Sequence, residues 1–215
     1  MKYEMDQQII EVIVNKVLTA MSASEKVVKA IPVGISNRHI HLSETHLEAL
    51  YGKGYVLTRD KELSQIGEFA ARETVTLVGP KGVIQGVRVL GPVREFTQIE
   101  ISRTDGFMLG VTPPIRDSSQ IEDSPGIVMV GKRGAVNLER GVICSARHVH
   151  MDDDTAHRFN VANGDRVVLT FEGPRGGSFA NVLVRVNPKF RLEFHIDTDE
   201  ANAAGLTNGQ MVTLM

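Results

Sequence analysis

The chain is 215 residues long, with 24 lysines and arginines against 26 aspartates and glutamates, so its net charge near −2 offers no general attraction for nucleic acid. That length suits one large domain or two small ones. No apolar run is long enough to cross a membrane, and a single cysteine excludes an intrachain disulfide; the expected compartment is the cytoplasm.

From the N-terminus, Ile10, Ile13, Val14, Val17, Leu18 and Met21 fall at helical spacing, so residues 1–28 read as an amphipathic helix and a linker. Such a helix packs on its own domain or docks on another protein. The β-branched residues Ile31, Val33, Ile35 and Ile40 then mark strands around Ser36-Asn-Arg-His-Ile-His-Leu42. On a strand, His39 and His41 share a face and can converge on one ion; helical spacing would part them. Ser43 follows as a helix N-cap, with Glu44 near the positive end of the helix dipole.

The same text returns 109 residues later as Ser145-Ala-Arg-His-Val-His-Met151, followed by Asp152 where Ser43 stood. Between the copies, Val75-Thr-Leu-Val-Gly-Pro-Lys-Gly82 resembles the stretch ending Gly173-Pro-Arg-Gly176, at an offset of 94. Both Gly-Pro-basic-Gly stretches read as hairpin turns. The fall from 109 to 94 places about 15 extra residues in the first copy, within 51–72. A third correspondence, at an offset of 95, sets Glu100 on His195. Further short strands are expected at 127–130, 166–171, 179–186 and 211–214. The predicted fold is mainly β: two pseudo-twofold-related β-barrel domains, over 29–125 and 126–215, each with short capping helices.

Aligned this way, the copies supply two trios, His39, His41 and Glu100, and His148, His150 and His195. One histidine pair is a weak signal, since buried histidines often serve only packing; duplication with a matching third position points to two metal ions. Imidazole and carboxylate suit zinc, though iron, nickel and cobalt take the same donors. Three protein ligands leave a position open for a reactant, as in catalytic zinc sites. Glu100 opposite His195 predicts sites that differ in charge. Cys144 aligns with Ile35 and reads as a core thiol, and His46 and His157 have no matching histidine in the other copy. Arg38 and Arg147 point away from the histidines and read as structural ion pairs, while Lys81, Arg88 and Arg94 taken singly read as solvated charges.

Pro32-Val-Gly-Ile-Ser-Asn-Arg-His-Ile-His-Leu42, Cys144-Ser-Ala-Arg-His-Val-His-Met151, Leu90 through Ser102 and Phe194 through Gly205 strongly resemble the phosphate propanoyltransferases, the PduL-type phosphotransacylases. The likeness covers about residues 30–215. It implies two β-barrels around a dinuclear zinc site on the six residues that the repeat selects, with Arg94 as the phosphate-binding arginine. It further implies coenzyme A contacts at Gly34, Ile35, Ser36, Lys81, Arg88 and Asn202. The expected reaction is reversible conversion of a short acyl-CoA, propanoyl before acetyl, and inorganic phosphate into acyl phosphate and CoA.

No Ser-His-Asp or Cys-His arrangement stands out, so direct attack by phosphate is expected rather than an acyl-enzyme. The resemblance also implies that residues 6–21 direct the protein to shell or lumen proteins of a bacterial microcompartment, in a pathway such as 1,2-propanediol degradation. A homo-oligomer is compatible with it. The rival readings are a dinuclear metallohydrolase and a scaffold whose metals only hold the barrels together.

Overall fold

The computed structural model describes residues 29–215, and the amphipathic helix expected within 1–28 lies outside the described residues. The chain is mainly β. Strand β1 (Ala30–Ser36) leads to β2 (His39–Ser43), which carries the first histidine pair and runs into α1 (Glu44–Tyr51). The Ser43 hydroxyl accepts from the His46 N–H, as an N-cap should. After β3 (Arg59–Glu62), the long hairpin of β4 (Phe69–Val78) and β5 (Val83–Arg94) turns through Gly79-Pro80-Lys81-Gly82. Then come β6 (Gln98–Glu100), α2 (Arg103–Leu109), β7 (Ile115–Arg116), β8 (Ile127–Val130) and β9 (Ala135–Leu138).

The second copy repeats this plan. Strand β10 (Val142–Ser145) precedes β11 (His148–Met151) and α3 (Asp153–Phe159), whose cap Asp152 accepts from the Thr155 N–H. The hairpin of β12 (Arg166–Phe171) and β13 (Gly177–Val186) turns at Gly173–Gly176. It is followed by β14 (Glu193–Asp197), α4 (Thr198–Ala204) and β15 (Met211–Leu214).

Among the described residues, six strands close into a barrel in the order β1-β14-β11-β13-β12-β15, and nine form a curled half-barrel sheet, β7-β10-β6-β2-β5-β4-β8-β9 with β3 beside β4. Closure of the barrel depends on β15 bridging β1 and β12. In the other half the free edge of β4, the counterpart of β12, is taken by β8, so that sheet stays open.

Each half lends the other a strand. β1 lies beside β14, with Gly34 opposite His195, whereas β10 lies beside β6, with Ile143 opposite Glu100. Gly34 and Ile143 are equivalent in the repeat, so the exchange is reciprocal. Accordingly Ile31 and Val33 pack in the core around Val149, Leu169, Val184 and Phe194, while Val142 packs with Ile40, Leu77, Val89 and Ile99. Two cores therefore share two crossing strands, and the third member of each trio lies in the seam.

The duplicated arginines pair as the repeat requires. Arg38 makes a two-pronged contact with Asp105 at 2.7 and 2.9 Å, and Arg147 Nε lies 2.8 Å from Glu200 Oε1. Asp105 and Glu200 stand three residues past the N-caps Ser102 and Asp197, so each arginine ties a histidine strand to the helix that follows the third ligand position.

Candidate functional site

The strand register assembles both trios. His39 faces Glu100 across β2 and β6, and His148 faces His195 across β11 and β14, with His41 and His150 two residues on, on the same faces. Within each trio the available donor atoms lie within 4.8 Å of one another. His39 Nε2 is 3.5 Å from Glu100 Oε2, and the His148 and His195 rings stack at 5.0 Å.

The outer histidines are oriented alike. His39 Nδ1 lies 2.8 Å from the Asn37 carbonyl oxygen and His148 Nδ1 lies 2.8 Å from that of Ala146. A carbonyl only accepts, so Nδ1 carries the proton and Nε2 keeps its lone pair for a ligand. The inner histidines lack protein partners. His41 Nδ1 and both ring nitrogens of His150 are buried without a hydrogen bond among the described residues. Burying polar atoms unpaired is costly, and a metal ion at each trio would satisfy them.

The electrostatics point the same way. Burial, with neighbouring His39 and Arg94, pushes His41 down to about 2; burial, with His148 and His195, pushes His150 down to about 2. Burial lowers His148 to about 4, with His195 adding to the effect. These rings are neutral at pH 7. His39 is the exception: burial opposes its charge, but the Glu100 carboxylate outweighs burial and raises it. Burial would raise Glu100, yet its histidine neighbours hold it well below the ordinary carboxylate range.

Both trios open onto one cavity of about 600 Å³, lined by His39, His41, Glu100, His148 and His195. Gly34, Ile35, Ser36, Arg88 and Arg94 line it too. Arg94 is held by Glu68 at 3.1 Å and Ser118 at 3.3 Å. Ser118 also accepts from Gln98, whose amide donates to Glu100 at 2.6 Å, so a polar chain joins Arg94 to the first trio. Lys81 and Asn202 do not line the cavity. Lys81 sits at the hairpin tip with its ammonium 5.8 Å over Phe107, and Asn202 lies on α4.

The cavity also holds Lys61, Gln65, Glu68, Ser118, Arg185 and Glu193, none of which the sequence reading singled out. Three of these come from the extra segment of the first copy, so the indel itself was the available signal. Arg185 stands opposite His150 on β13, a placement visible only once the strands are paired.

Cys144 is buried, and its thiol donates to Asp197 Oδ2 at 3.2 Å. Burial and the carboxylate push its pKa up, the reverse of an activated thiolate. His46 bonds Thr97 through Nδ1 and, like His157, belongs to neither trio. Among the described residues no helix is long and apolar enough to cross a membrane.

A family model described as phosphate propanoyltransferase matches residues 32–207. Curated relatives of that name are 55% identical over 186 residues in Thermotoga maritima, covering 86% of this chain and 89% of the relative. In Priestia megaterium the identity is 48% over 205 residues, covering 95% and 94%. In Salmonella typhimurium it is 47% over 205 residues, covering 95% of each. The matched span runs from within β1 to the loop before β15 and so contains both trios, Arg94 and the exchanged strands. A resemblance first carried by two histidine motifs thus extends over the whole double fold, and the chain belongs to the phosphate propanoyltransferase family of acyltransferases.

Proposed function

We propose that the chain moves a short acyl group, propanoyl before acetyl, reversibly between coenzyme A and inorganic phosphate, with one zinc ion at His39, His41 and Glu100 and a second at His148, His150 and His195. The observation that carries this reading is the convergence of two trios of metal-type donors, with inner histidines that lack protein partners, on one cavity that also holds Arg94. When bound, zinc supplies Lewis-acid polarisation of the thioester carbonyl and an affinity for phosphate oxygen and thiolate sulfur.

The chain's own residues do the positioning. Arg94, steadied by Glu68 and Ser118, neutralises and orients phosphate for attack on the thioester carbon. Gly34, Ile35, Ser36 and Arg88 form the wall against which the thioester end of coenzyme A lies, and Lys61 adds a cation for its phosphates. Lys81 and Asn202 are left for parts of the ligand beyond this cavity. With Cys144 buried and hydrogen-bonded, transfer is direct in a ternary complex.

Purified protein mixed with propanoyl-CoA should release CoA only when phosphate is present, with acyl phosphate as co-product, and Cys144→Ala should keep that turnover. Phosphate-independent release would identify a hydrolase instead. No release, with metal bound, would leave a scaffold.

The amphipathic pattern of residues 1–28 supports a second part of the proposal, that the enzyme works in the cytoplasm within a bacterial microcompartment and recycles CoA there during degradation of a substrate such as 1,2-propanediol. Deleting residues 1–21 should abolish co-purification with shell proteins and leave turnover in solution intact. Unchanged co-purification would sink this part alone.

A further inference from the structure

The two trios differ in their third member, and the residues two positions before it differ in the opposite sense. His41 pairs with Gln98 across β2 and β6, and His150 pairs with Glu193 across β11 and β14. Gln98 and Glu193 are therefore equivalent, 95 residues apart as Glu100 and His195 are. In the first half a neutral amide supports a carboxylate. Gln98 Nε2 donates to Glu100 Oε1 at 2.6 Å, and Gln98 Oε1 accepts from the Ser119 N–H at 2.7 Å, which fixes the amide's orientation.

In the second half the charges change places. Glu193 Oε2 lies 2.9 Å from Nε2 of His195. Its carboxylate is seated from two further sides. The Ser64 hydroxyl donates to it, and Gln65, whose amide spans Arg191, approaches it at 3.5 Å. Gly34 leaves the space it fills, since a Cβ there would stand 2.6 Å from Glu193 Cδ.

We propose that Glu193 is the carboxylate of the second metal site, the counterpart of Glu100. Each ion then meets two histidines and one pair, Glu100 with Gln98 or His195 with Glu193, that holds a single negative charge. A dication in a buried cavity needs such a charge close by, whether the carboxylate ligates directly or orients a ligating imidazole. Glu193 is thus a positioning residue for His195, and the two halves match in charge while differing in ligand type. On this proposal the charge difference that Glu100 opposite His195 predicts by itself is offset.

The proposal rests on the two-ion reading above. Metal-free protein, titrated with zinc against a competing chelator, tests both. Glu193→Gln keeps the size and hydrogen-bonding capacity of the side chain and removes its charge; it should weaken one of two zinc sites about 10–100-fold and leave the other unchanged. Gly34→Ala, which crowds the carboxylate but keeps its charge, should weaken the same site. Ser64→Ala, which removes one hydrogen bond to the carboxylate and leaves its charge in place, should leave both sites within about threefold of the parent. Two unaltered sites in Glu193→Gln would overturn the proposal, as would equal weakening by Ser64→Ala, which would reduce Glu193 to a loop anchor. A parent chain that binds no zinc would instead overturn the two-ion reading and this proposal with it.

Discussion

Arg94→Ala should lower kcat/KM for acyl transfer by about 10²–10³, the usual loss on removing one preorganised group that meets charge developing in the transition state. Both metal ions should stay bound. The guanidinium is not a donor to either trio, and its partners Glu68 and Ser118 remain to hold the loop and the Gln98 amide in place. The loss should fall on phosphate: its KM rises and the maximal rate falls, while the KM for propanoyl-CoA moves little. Arg94→Lys should recover only part of the rate, because an ammonium cannot reproduce a planar fork held from two sides. Steady-state kinetics in each substrate, with a metal count on the same samples, checks this; parent-like turnover in Arg94→Ala would remove its role.

Much of this architecture is legible in the sequence because it is written twice. Comparing the copies exposes caps, turns and third positions that one copy would leave as noise, and Ser43 with Asp152, and Gly79 with Gly173, stand where that comparison puts them. Strand alternation does the rest, since His39 and His41 can share a face only on a strand. The reciprocal exchange of β1 and β10 is not legible. Both strands carry the same apolar pattern whichever sheet they join, and only long-range pairing of Gly34 with His195 and Ile143 with Glu100 decides between them.

Openness of the first sheet is hidden for a similar reason. β15 runs antiparallel to β1 and reaches β12 as well, whereas β7 runs parallel to β10 and the edge of β4 goes to β8. The polar wall of the cavity was hidden differently. Lys61, Gln65 and Glu68 sit in a segment without a counterpart, so the comparison that found the two trios was silent there. Glu193 and Gln98 do have counterparts, but amide against carboxylate looks like ordinary drift until the contacts to His195 and Glu100 are seen.

Removing an inner histidine should be the most damaging single change. His41→Ala and His150→Ala should each bring the metal content from two ions per chain to one and cut kcat/KM by more than about 10³, since polarisation of the carbonyl and placement of phosphate fail together. The two variants should lose different ions. In the parent, His41 and His150 are already neutral, held down to about 2 by burial and nearby positive charge, so each would bind an ion without first giving up a proton. The same shift fixes what metal removal does. His41, His148 and His150 of the trios have folded values below the ordinary 6.5, as has His46 outside them, so as pH falls below about 6.5 the unfolded chain takes up protons that these rings refuse, and the fold loses stability. His39, raised beside Glu100, adds stability only as pH falls towards 6.5 and contributes no further change below it. Chelator-treated protein should therefore show a thermal midpoint that drops between pH 7 and pH 5, while the metal-loaded protein, its rings occupied, changes less over that range. A metal-free chain as stable at pH 5 as at pH 7 would mean that the buried imidazoles are not the neutral, waiting ligands that the trios require.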